Sequence, residues 1–386
     1  MSAEHSLHLA VALDGAGWHP GAWRTTPALS SGLFDPDYWT DLAREAERGL
    51  LDLVTFEDRF APTRPEDGDR DDVVAGVLDA SLVASRVAAR TDRIGLVPTV
   101  LAPHTEPFHV STSVATLDHV SEGRAGVRVR DSWDPREYDN VGRRTPPSVE
   151  EPGASFAQVA DHVEVARRLW DSWEDDAEIR DVATGRFVDR DRLHYIDFEG
   201  SEYSVRGPSI TPRQPQGQPP VFVLAHQEDG YRLAGRSADV ALVTPADAAD
   251  AGRIAGLVRA AAVEAGRPAG SVRVLADLVV FLDEGANAAQ ARRERLDRAD
   301  GRTFVSDAAV FEGSARDLGE LLLAWSAAGV DGFRLRPAVL PYDLRGITRG
   351  LVPYLQEAGA FRTAYEGSTL RGHLGLDRPI NRYAAA

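Results

Sequence analysis

The sequence predicts a closed (β/α)8 barrel, the TIM-barrel fold of the α/β class, with insertions between its elements. Short apolar runs alternate with segments of helical spacing eight times along the chain. The length of 386 residues exceeds the roughly 250 of a plain barrel. No linker-like break divides the chain, so we expect one domain over residues 1–386. A doubly wound open sheet is the alternative architecture.

Each predicted strand is an apolar run that is too short for a helix. The second, Leu51–Phe56, leads into the charged residues Glu57, Asp58 and Arg59. The eight predicted strands span Leu7–Leu13, Leu51–Phe56, Arg93–Val100, Arg124–Arg130, Pro220–Ala225, Asp239–Thr244, Val272–Leu282 and Gly332–Pro337.

The predicted helices carry apolar residues three or four positions apart, and several begin at a capping residue or a proline. Val73, Val77 and Leu78 show this spacing in the second helix. The predicted helices span Tyr38–Gly49, Asp72–Arg90, Pro107–Val120, Phe156–Trp173, Glu228–Ala238, Ala246–Gly266, Ala286–Ala299, Ser314–Ala328 and Asp343–Gly359.

Segments without a sustained period are predicted to be loops and insertions on this scaffold. Loops are expected over 14–31 and 61–71. Insertions are expected near 131–153, 175–218 and 301–313, with a C-terminal extension over 360–386; the second should contain a hairpin around Glu199-Gly200. Because loops set specificity in barrels, these insertions are expected to shape the substrate pocket.

Composition excludes several classes of function. The net charge is −17, from 43 basic and 60 acidic residues, which disfavours binding to nucleic acid or to an anionic membrane. None of the basic residues is lysine and there is no cysteine, so lysine Schiff bases and thiolate nucleophiles are excluded. Without a signal peptide or a membrane-length apolar run, we expect a cytoplasmic protein.

The ends of the predicted strands carry the candidate functional residues, because the active site of a barrel lies at the carboxyl ends of its strands. No metal-binding motif, phosphate-cradling glycine loop or nucleophile elbow is present. The polar or accessible residues at these ends are Asp14, Glu57, Asp58, Thr99, Arg128, Arg130, Ser132, Ala225, His226 and Thr244.

Arg128 and Arg130 stand out within this set. The period of two places both on one face of the fourth strand, opposite Val127 and Val129. If that face lines the barrel lumen, a desolvated guanidinium requires a partner. Asp58 or Glu57 could supply it, or an anionic ligand could do so through a carboxylate or phosphate.

Over nearly its whole length the chain resembles the bacterial-luciferase-like flavin monooxygenases, and within them the nitrilotriacetate monooxygenase and desulfurisation branch. The most specific stretches are GVDGFRLRP and LVPYLQEAGAFRTAYEGSTLRGHLGL near the C-terminus. Further matching stretches are HPGAWR, LAREAERGLLDLVTFED, DRIGLVPTV, EPFHVSTSVATLDHVSEGRAG, LWDSW and PQGQPPVFVLA.

The resemblance implies a (β/α)8 barrel that binds FMN at its C-terminal face. It implies reduced flavin supplied by a separate reductase, a small organic substrate and a homo-oligomer. Asp58 and Thr99 match the family's acid and threonine beside the flavin. Ser132 matches a polar residue after strand four, and Ala225 and His226 occupy the segment after strand five. The flavin performs the chemistry in such enzymes, which fits the lack of an obvious nucleophile here, and the catalytic residues are not identified.

Three departures from the family pattern leave alternatives open. Arg128 replaces an asparagine, Ser155-Phe156 replaces an arginine–tyrosine pair, and Glu228 and Asp229 are expected where a phosphate would bind. The chain is therefore expected to be an FMN-dependent monooxygenase with a rearranged site. The alternatives are a flavin-free paralogue that serves as a binding or partner subunit, and an oxidoreductase that uses a deazaflavin or another anionic ligand.

Overall fold

The computed structural model describes residues 6–25, 32–62, 72–147 and 152–384. Its core is a closed barrel of eight parallel strands in which each strand pairs with the next one along the chain. Closure is made by the first and last strands, with His8 opposite Gly332 and Val11 opposite Leu335. The predicted (β/α)8 barrel is therefore confirmed, and the open-sheet alternative is wrong. The limits of the domain remain a prediction.

Most barrel strands begin one to three residues later than predicted, and most end at the predicted residue. They are β1 His8–Leu13, β2 Leu53–Phe56, β3 Gly95–Leu101, β4 Val127–Arg130, β5 Val221–Ala225, β6 Val240–Val243, β7 Arg273–Leu282 and β8 Gly332–Pro337.

The helices of the described residues cover the outside of the barrel, except that the last one lies at its N-terminal end. They are α1 Pro36–Arg48, α2 Ala80–Ala88, α3 Pro107–Val120, α4 Pro135–Val141, α5 Pro152–Asp171, α6 Glu228–Ser237, α7 Ala248–Glu264, α8 Ala286–Asp300, α9 Ala315–Ala328, α10 Tyr342–Gly346, α11 Val352–Glu357 and α12 Leu370–His373. Short 3-10 turns span Pro20–Arg24, Arg190–Arg192 and Ala269–Ser271. Within the described residues, none of the helices is long and apolar enough to span a membrane.

The second helix differs from the prediction because it begins at Ala80 and not at Asp72. Asp79 caps it, with its side chain accepting the backbone N–H of Leu82. Residues 72–79 are non-helical, and Val73 and Val77 line a small apolar pocket against Leu33 and Phe34. Their helical spacing thus reflects contact with the neighbouring loop.

The last predicted helix is interrupted. A π-helical turn, Ile347–Leu351, joins α10 to α11. Pro353 lies in the first turn of α11, where it lacks the N–H that a regular α-helix would use. The segment is therefore helical as predicted, but its hydrogen-bond register changes once.

The predicted insertions contain more regular structure than expected. The first holds α4, capped by Asp134. In the second, Phe198–Glu199 pairs with Ser204–Val205 as predicted, and a further hairpin joins Glu178–Asp181 to Arg186–Val188. In the third, Ala309–Gly313 extends the sheet beside β7. Residues 148–151 of the first insertion, and parts of the predicted loops over 14–31 and 61–71, lie outside the described residues.

The C-terminal extension closes the N-terminal end of the barrel. Leu370 and Leu374, both fully buried, join an apolar lumen cluster with Leu53 and Val97. A Cβ on Gly95 would lie 2.5 Å from Leu370 Cδ1, so this strand tolerates the extension only because it lacks a side chain there. The N-terminal end of the lumen is therefore apolar, and the polar part of the interior faces the opposite end.

Candidate active site

A cleft of about 770 Å³ opens at the carboxyl ends of the barrel strands, where barrel enzymes place their active sites. Trp18, Trp133, Phe156 and Phe304 contribute aromatic side chains to its walls. The charged and histidine residues that line it are Asp14, Glu57, Asp58, Arg59, Arg128, Arg130, Asp131, Asp134, Glu137, His226, Asp307 and Arg336.

A network of ion pairs fills the lumen beneath the cleft. Glu57, at the end of β2, accepts hydrogen bonds from Arg128 and, at 3.1 Å, from Arg334. Asp277 on β7 accepts hydrogen bonds from Nε of Arg334 at 2.9 Å and from Nη2 of Arg334 at 2.5 Å. Asp277 also accepts Nε of Arg336 at 2.9 Å. These five side chains form a continuous chain of charges across the barrel.

The network extends out of the barrel through one residue of the third insertion. Asp307 accepts Nη1 of Arg336 at 2.6 Å and Nη2 at 3.1 Å. Arg336 is fully buried, whereas the side chain of Asp307 is 45% exposed. The insertion thereby reaches over the cleft and contacts the lumen charges directly.

Arg128 lies at the inner end of the cleft, and its side chain is only 3% exposed. Both hydrogen bonds that it donates to described residues use Nη1, which binds Glu57 and, at 3.3 Å, Thr99 Oγ1. Nε has no hydrogen-bond partner in the part of the chain that the structure describes. Of the two predicted lumen partners, Glu57 is thus the one that Arg128 contacts.

In the Arg128–Glu57 pair, burial shifts each pKa toward the neutral form, and the charge of the partner opposes that shift. Burial lowers the pKa of Arg128 to about 10, against the raising effect of Glu57. Burial would raise the pKa of Glu57, but the charges of Arg128 and Arg334 outweigh it and hold that pKa at about 2. Both groups are therefore ionised at neutral pH.

Asp58 lines the cleft but does not pair with Arg128. Its carboxylate accepts the backbone N–H of Arg59 at 2.7 Å and that of Ala80, the first residue of α2, at 3.0 Å. Burial raises the pKa of Asp58 to about 6, although these two hydrogen bonds oppose the shift. The predicted ion pair with Arg128 is therefore wrong for Asp58, because the backbone holds its carboxylate beside the start of α2.

Two predicted site residues, Thr99 and Ser132, lie behind the cleft wall. Thr99 is buried beside Arg128. Ser132 donates to Glu137, which also accepts Phe60 N–H at 3.0 Å and Arg130 Nη2 at 3.3 Å. Both hydroxyls consequently orient charged groups of the cleft.

Ala225 and His226 lie at the end of β5 on the cleft wall. Nδ1 of His226 is 2.9 Å from Thr244 Oγ1, and Nε2 is 3.7 Å from Asp307. Burial lowers the pKa of His226, with Asp307 opposing the shift. Four of the six predicted site residues, namely Asp58, Arg128, Ala225 and His226, thus line one cleft.

The two acids that were expected to repel a phosphate point elsewhere. Glu228 and Asp229 both accept from Arg232, the latter at 3.0 Å, and all three side chains are exposed. Neither acid lines the cleft, whereas the preceding Gln227 does. The expectation that these two carboxylates face the cleft is therefore wrong, because both pair with Arg232 on the same helix.

Several charged residues of the network and of the cleft were not identified from the sequence. Asp277, Arg334 and Arg336 were assigned only to buried strands, and Glu137 and Asp307 only to insertions. A signal was present: Asp277 interrupts the apolar run VLADLVVFL, and Arg334 and Arg336 repeat the alternation seen at Arg128 and Arg130. Charges on the inner face of buried strands predict an ion network.

Comparison with known proteins agrees with this architecture. The chain is 29% identical to N-acetyl-S-(2-succino)cysteine monooxygenase of Bacillus subtilis, over 99% of each chain. It is also 29% identical to nitrilotriacetate monooxygenase component A of Aminobacter aminovorans, over 100% of this chain and 99% of that protein. The structure resembles that of a riboflavin lyase solved with modified FMN and riboflavin, with a TM-score of 0.86, 22% identity and coverage of 98% and 97%.

The sequence profile of luciferase-like monooxygenases matches residues 16–332. The predicted enzyme class, a flavin-dependent monooxygenase that acts on a small organic molecule, is confirmed by these matches. Neither of these two monooxygenase relatives specifically favours a non-catalytic subunit. The chain therefore belongs to the luciferase-like monooxygenase family.

Proposed function

We propose that this chain is the oxygenase component of a two-component system. It binds reduced FMN in the cleft at the carboxyl ends of the barrel strands, receives it from a separate flavin reductase and oxygenates a small organic substrate. The observation that carries this proposal is the position of Arg128, which offers a buried and incompletely paired guanidinium at the inner end of the cleft. The similarity to a monooxygenase named component A supports the two-component arrangement.

The residues present are compatible with a flavin. Arg128 has N–H donors left over for the polar edge of a ring or for another anionic group. The rings of Trp18, Trp133, Phe156 and Phe304 provide apolar surface against which an aromatic cofactor can pack. We propose that Asp58, Arg128, Ala225 and His226 contact FMN, with Thr99 and Ser132 holding the charged groups behind them.

Bound reduced flavin supplies the electrons that activate O₂, and the protein supplies binding, orientation and electrostatics. Arg128 and Glu57 hold fixed charges at the inner end of the cleft. Packing of the aromatic side chains of the cleft against a bound ring would displace water, which strengthens electrostatic interactions there. Asp58, with a pKa of about 6, can hold or release a proton near neutral pH.

Anaerobic titration with reduced FMN, followed by absorbance, tests this proposal. We expect saturable binding in the micromolar range or below, and weaker binding after Asp58→Asn. Asp41→Asn, at an exposed position of α1, is the matched control and should leave binding unchanged. Binding of reduced FMN weaker than millimolar by the wild-type protein would refute the proposal.

Two further features remain predictions from the sequence, the first from the family resemblance and the second from the lack of a signal peptide or membrane-length apolar run. We propose that the protein forms a homo-oligomer, which light scattering coupled to size-exclusion chromatography would detect. A cytoplasmic location is likewise proposed, and cell fractionation of the source organism would test it.

A further inference from the structure

The inner part of the lumen network has more positive than negative charge. Arg128, Arg334 and Arg336 are almost completely buried, and they share two largely buried carboxylates, Glu57 and Asp277. The third carboxylate of the network, Asp307, is 45% exposed and belongs to the insertion outside the barrel. The charge of the buried layer is therefore balanced only through the partly exposed Asp307, which pairs with Arg336 from outside the barrel.

Of the three arginines, Arg128 makes the fewest hydrogen bonds to carboxylates of the described residues. Arg334 and Arg336 each donate to Asp277 through both Nε and Nη2. Arg128 instead uses Nη1 alone, on a carboxylate that it shares with Arg334. Nε of Arg128 has no partner, so the described residues use only part of the hydrogen-bond donors of this guanidinium.

The rest of the cleft is not cationic, which limits where an anion can bind. Asp14 pairs with Arg59, and Glu137 pairs with Arg130. Asp58 binds backbone N–H groups rather than an arginine. An anionic group therefore finds a favourable position at Arg128, at the inner end of the cleft, and a less favourable one at the rim.

Flavin itself has an anionic form of the required shape. Reduced flavin ionises at N1 to give an anion shared between N1 and the C2 carbonyl oxygen, whereas the ring of oxidised flavin is neutral. A planar pair of acceptor atoms matches the fork of a guanidinium. A positive charge near N1 is a recognised way for a protein to tune a flavin.

We propose that Arg128 binds the ionised N1–C2 carbonyl edge of reduced FMN and makes the cleft select reduced over oxidised flavin. The inference rests on the proposed function, since it concerns the same cleft and the same cofactor. It adds a role for Arg128 in distinguishing redox states, so that the enzyme binds the form delivered by its reductase and releases the oxidised form.

The ratio of two dissociation constants tests this inference. Oxidised FMN is titrated in air and reduced FMN under anaerobic conditions, for the wild-type protein, Arg128→Gln and Arg128→Lys. We expect the wild-type protein to favour reduced FMN. Arg128→Gln should lower this preference by about ten- to a hundredfold, the typical value of one hydrogen bond to a charged group, and Arg128→Lys should retain part of it.

Two more variants separate electrostatics from misfolding. Glu57→Gln removes the carboxylate that offsets Arg128 and should increase the preference for reduced FMN, opposite to Arg128→Gln. Arg316→Gln removes a positive charge from an exposed position on α9 and should leave the ratio unchanged. Far-UV circular dichroism and thermal melts confirm that each variant is folded.

The possible outcomes are distinguishable. If the wild-type protein binds neither form, both the proposed function and this inference fail. If Arg128→Gln changes the binding of both forms equally, Arg128 contacts a group common to both, such as the phosphate, and the inference fails while the function survives. If the flavin ratio is unchanged but binding of benzoate, a planar carboxylate probe, depends on Arg128, the anion is that of a substrate and the inference is again wrong.

Discussion

Replacing Asp277 by asparagine should destabilise the protein strongly, because this carboxylate holds two buried guanidinium groups. It accepts from Nε of Arg334 and Nε of Arg336, both at 2.9 Å, and from a second nitrogen of each, with no exposure of its own side chain. Asparagine preserves the shape but removes the negative charge. Its amide NH₂ would also face N–H donors.

The expected cost follows from the loss of one partner of a buried ion pair, which is about 3–5 kcal/mol. The unfolding entropy of a 386-residue chain is roughly 0.8 kcal/mol/K, at about 2.1 cal/mol/K per residue. Asp277→Asn should therefore lower the Tm by about 4–6 °C. Thermal unfolding followed by circular dichroism, together with urea unfolding at constant temperature, measures the change.

Asp41→Asn makes the same chemical change at an exposed position of α1 and should leave the Tm nearly unchanged. In the Asp277→Asn background, Arg336→Gln removes one of the two cations that had paired with Asp277 and should recover part of the loss, as a coupled pair does in a double-mutant cycle. A decrease of less than about 1 °C for Asp277→Asn would show that solvent reaches the network and that its charges are not buried.

Three further predictions concern neighbouring features. The pKa of Glu57 is lowered to about 2 in the folded protein, so its contribution to stability is complete above about pH 4.5 and is lost as the pH falls toward 2. Glu57→Gln should therefore flatten the pH dependence of the unfolding free energy between about pH 4.5 and 2, measured by urea unfolding. An unchanged pH dependence would contradict the pairing. The pKa of Asp58 is raised to about 6, so its contribution favours folding below about pH 4 and disappears as the pH rises through 6. The Tm of Asp58→Asn relative to that of the wild-type protein should therefore increase between about pH 4 and pH 6, as thermal melts at several pH values would show. Leu370→Ala should cost about 2–5 kcal/mol of unfolding free energy. Because a Cβ at Gly95 would lie 2.5 Å from Leu370 Cδ1, Gly95→Ala should lower the unfolding free energy less in the Leu370→Ala background than in the wild-type protein. Equal effects in both backgrounds would exclude the contact.

Much of the scaffold was predictable because it depends on local patterns. Each strand–helix unit has its own period, and a right-handed crossover places each strand beside the preceding one. The period of two also places Arg128 and Arg130 on one face of β4, and the lumen position of Arg128 agrees with it. The helix predicted to begin at Asp72 was wrong because Val73 and Val77 cover a loop-lined pocket, a contact that has the same spacing as a helix face.

The partners of the charged residues were less predictable. Glu57 and Asp58 are adjacent in sequence and chemically similar, yet Glu57 pairs with Arg128 and Arg334 while Asp58 binds the start of α2. Successive residues at the end of a strand point in opposite directions, so one faces the lumen and the other faces the helix. The exact position where β2 ends decides between them, and boundaries of one residue are not encoded in hydrophobic periodicity.

The sequence by itself therefore determined the barrel, the order of its strands, the edge that carries the cleft and the family to which the chain belongs. Only the tertiary structure decided that Asp277 joins Arg334 to Arg336, that Asp307 reaches this network from an insertion, and that Leu370 closes the opposite end of the lumen. The physical reason is distance along the chain. Local periodicity specifies which face a residue occupies, but the partner it meets on that face comes from another strand or loop, tens to hundreds of residues away.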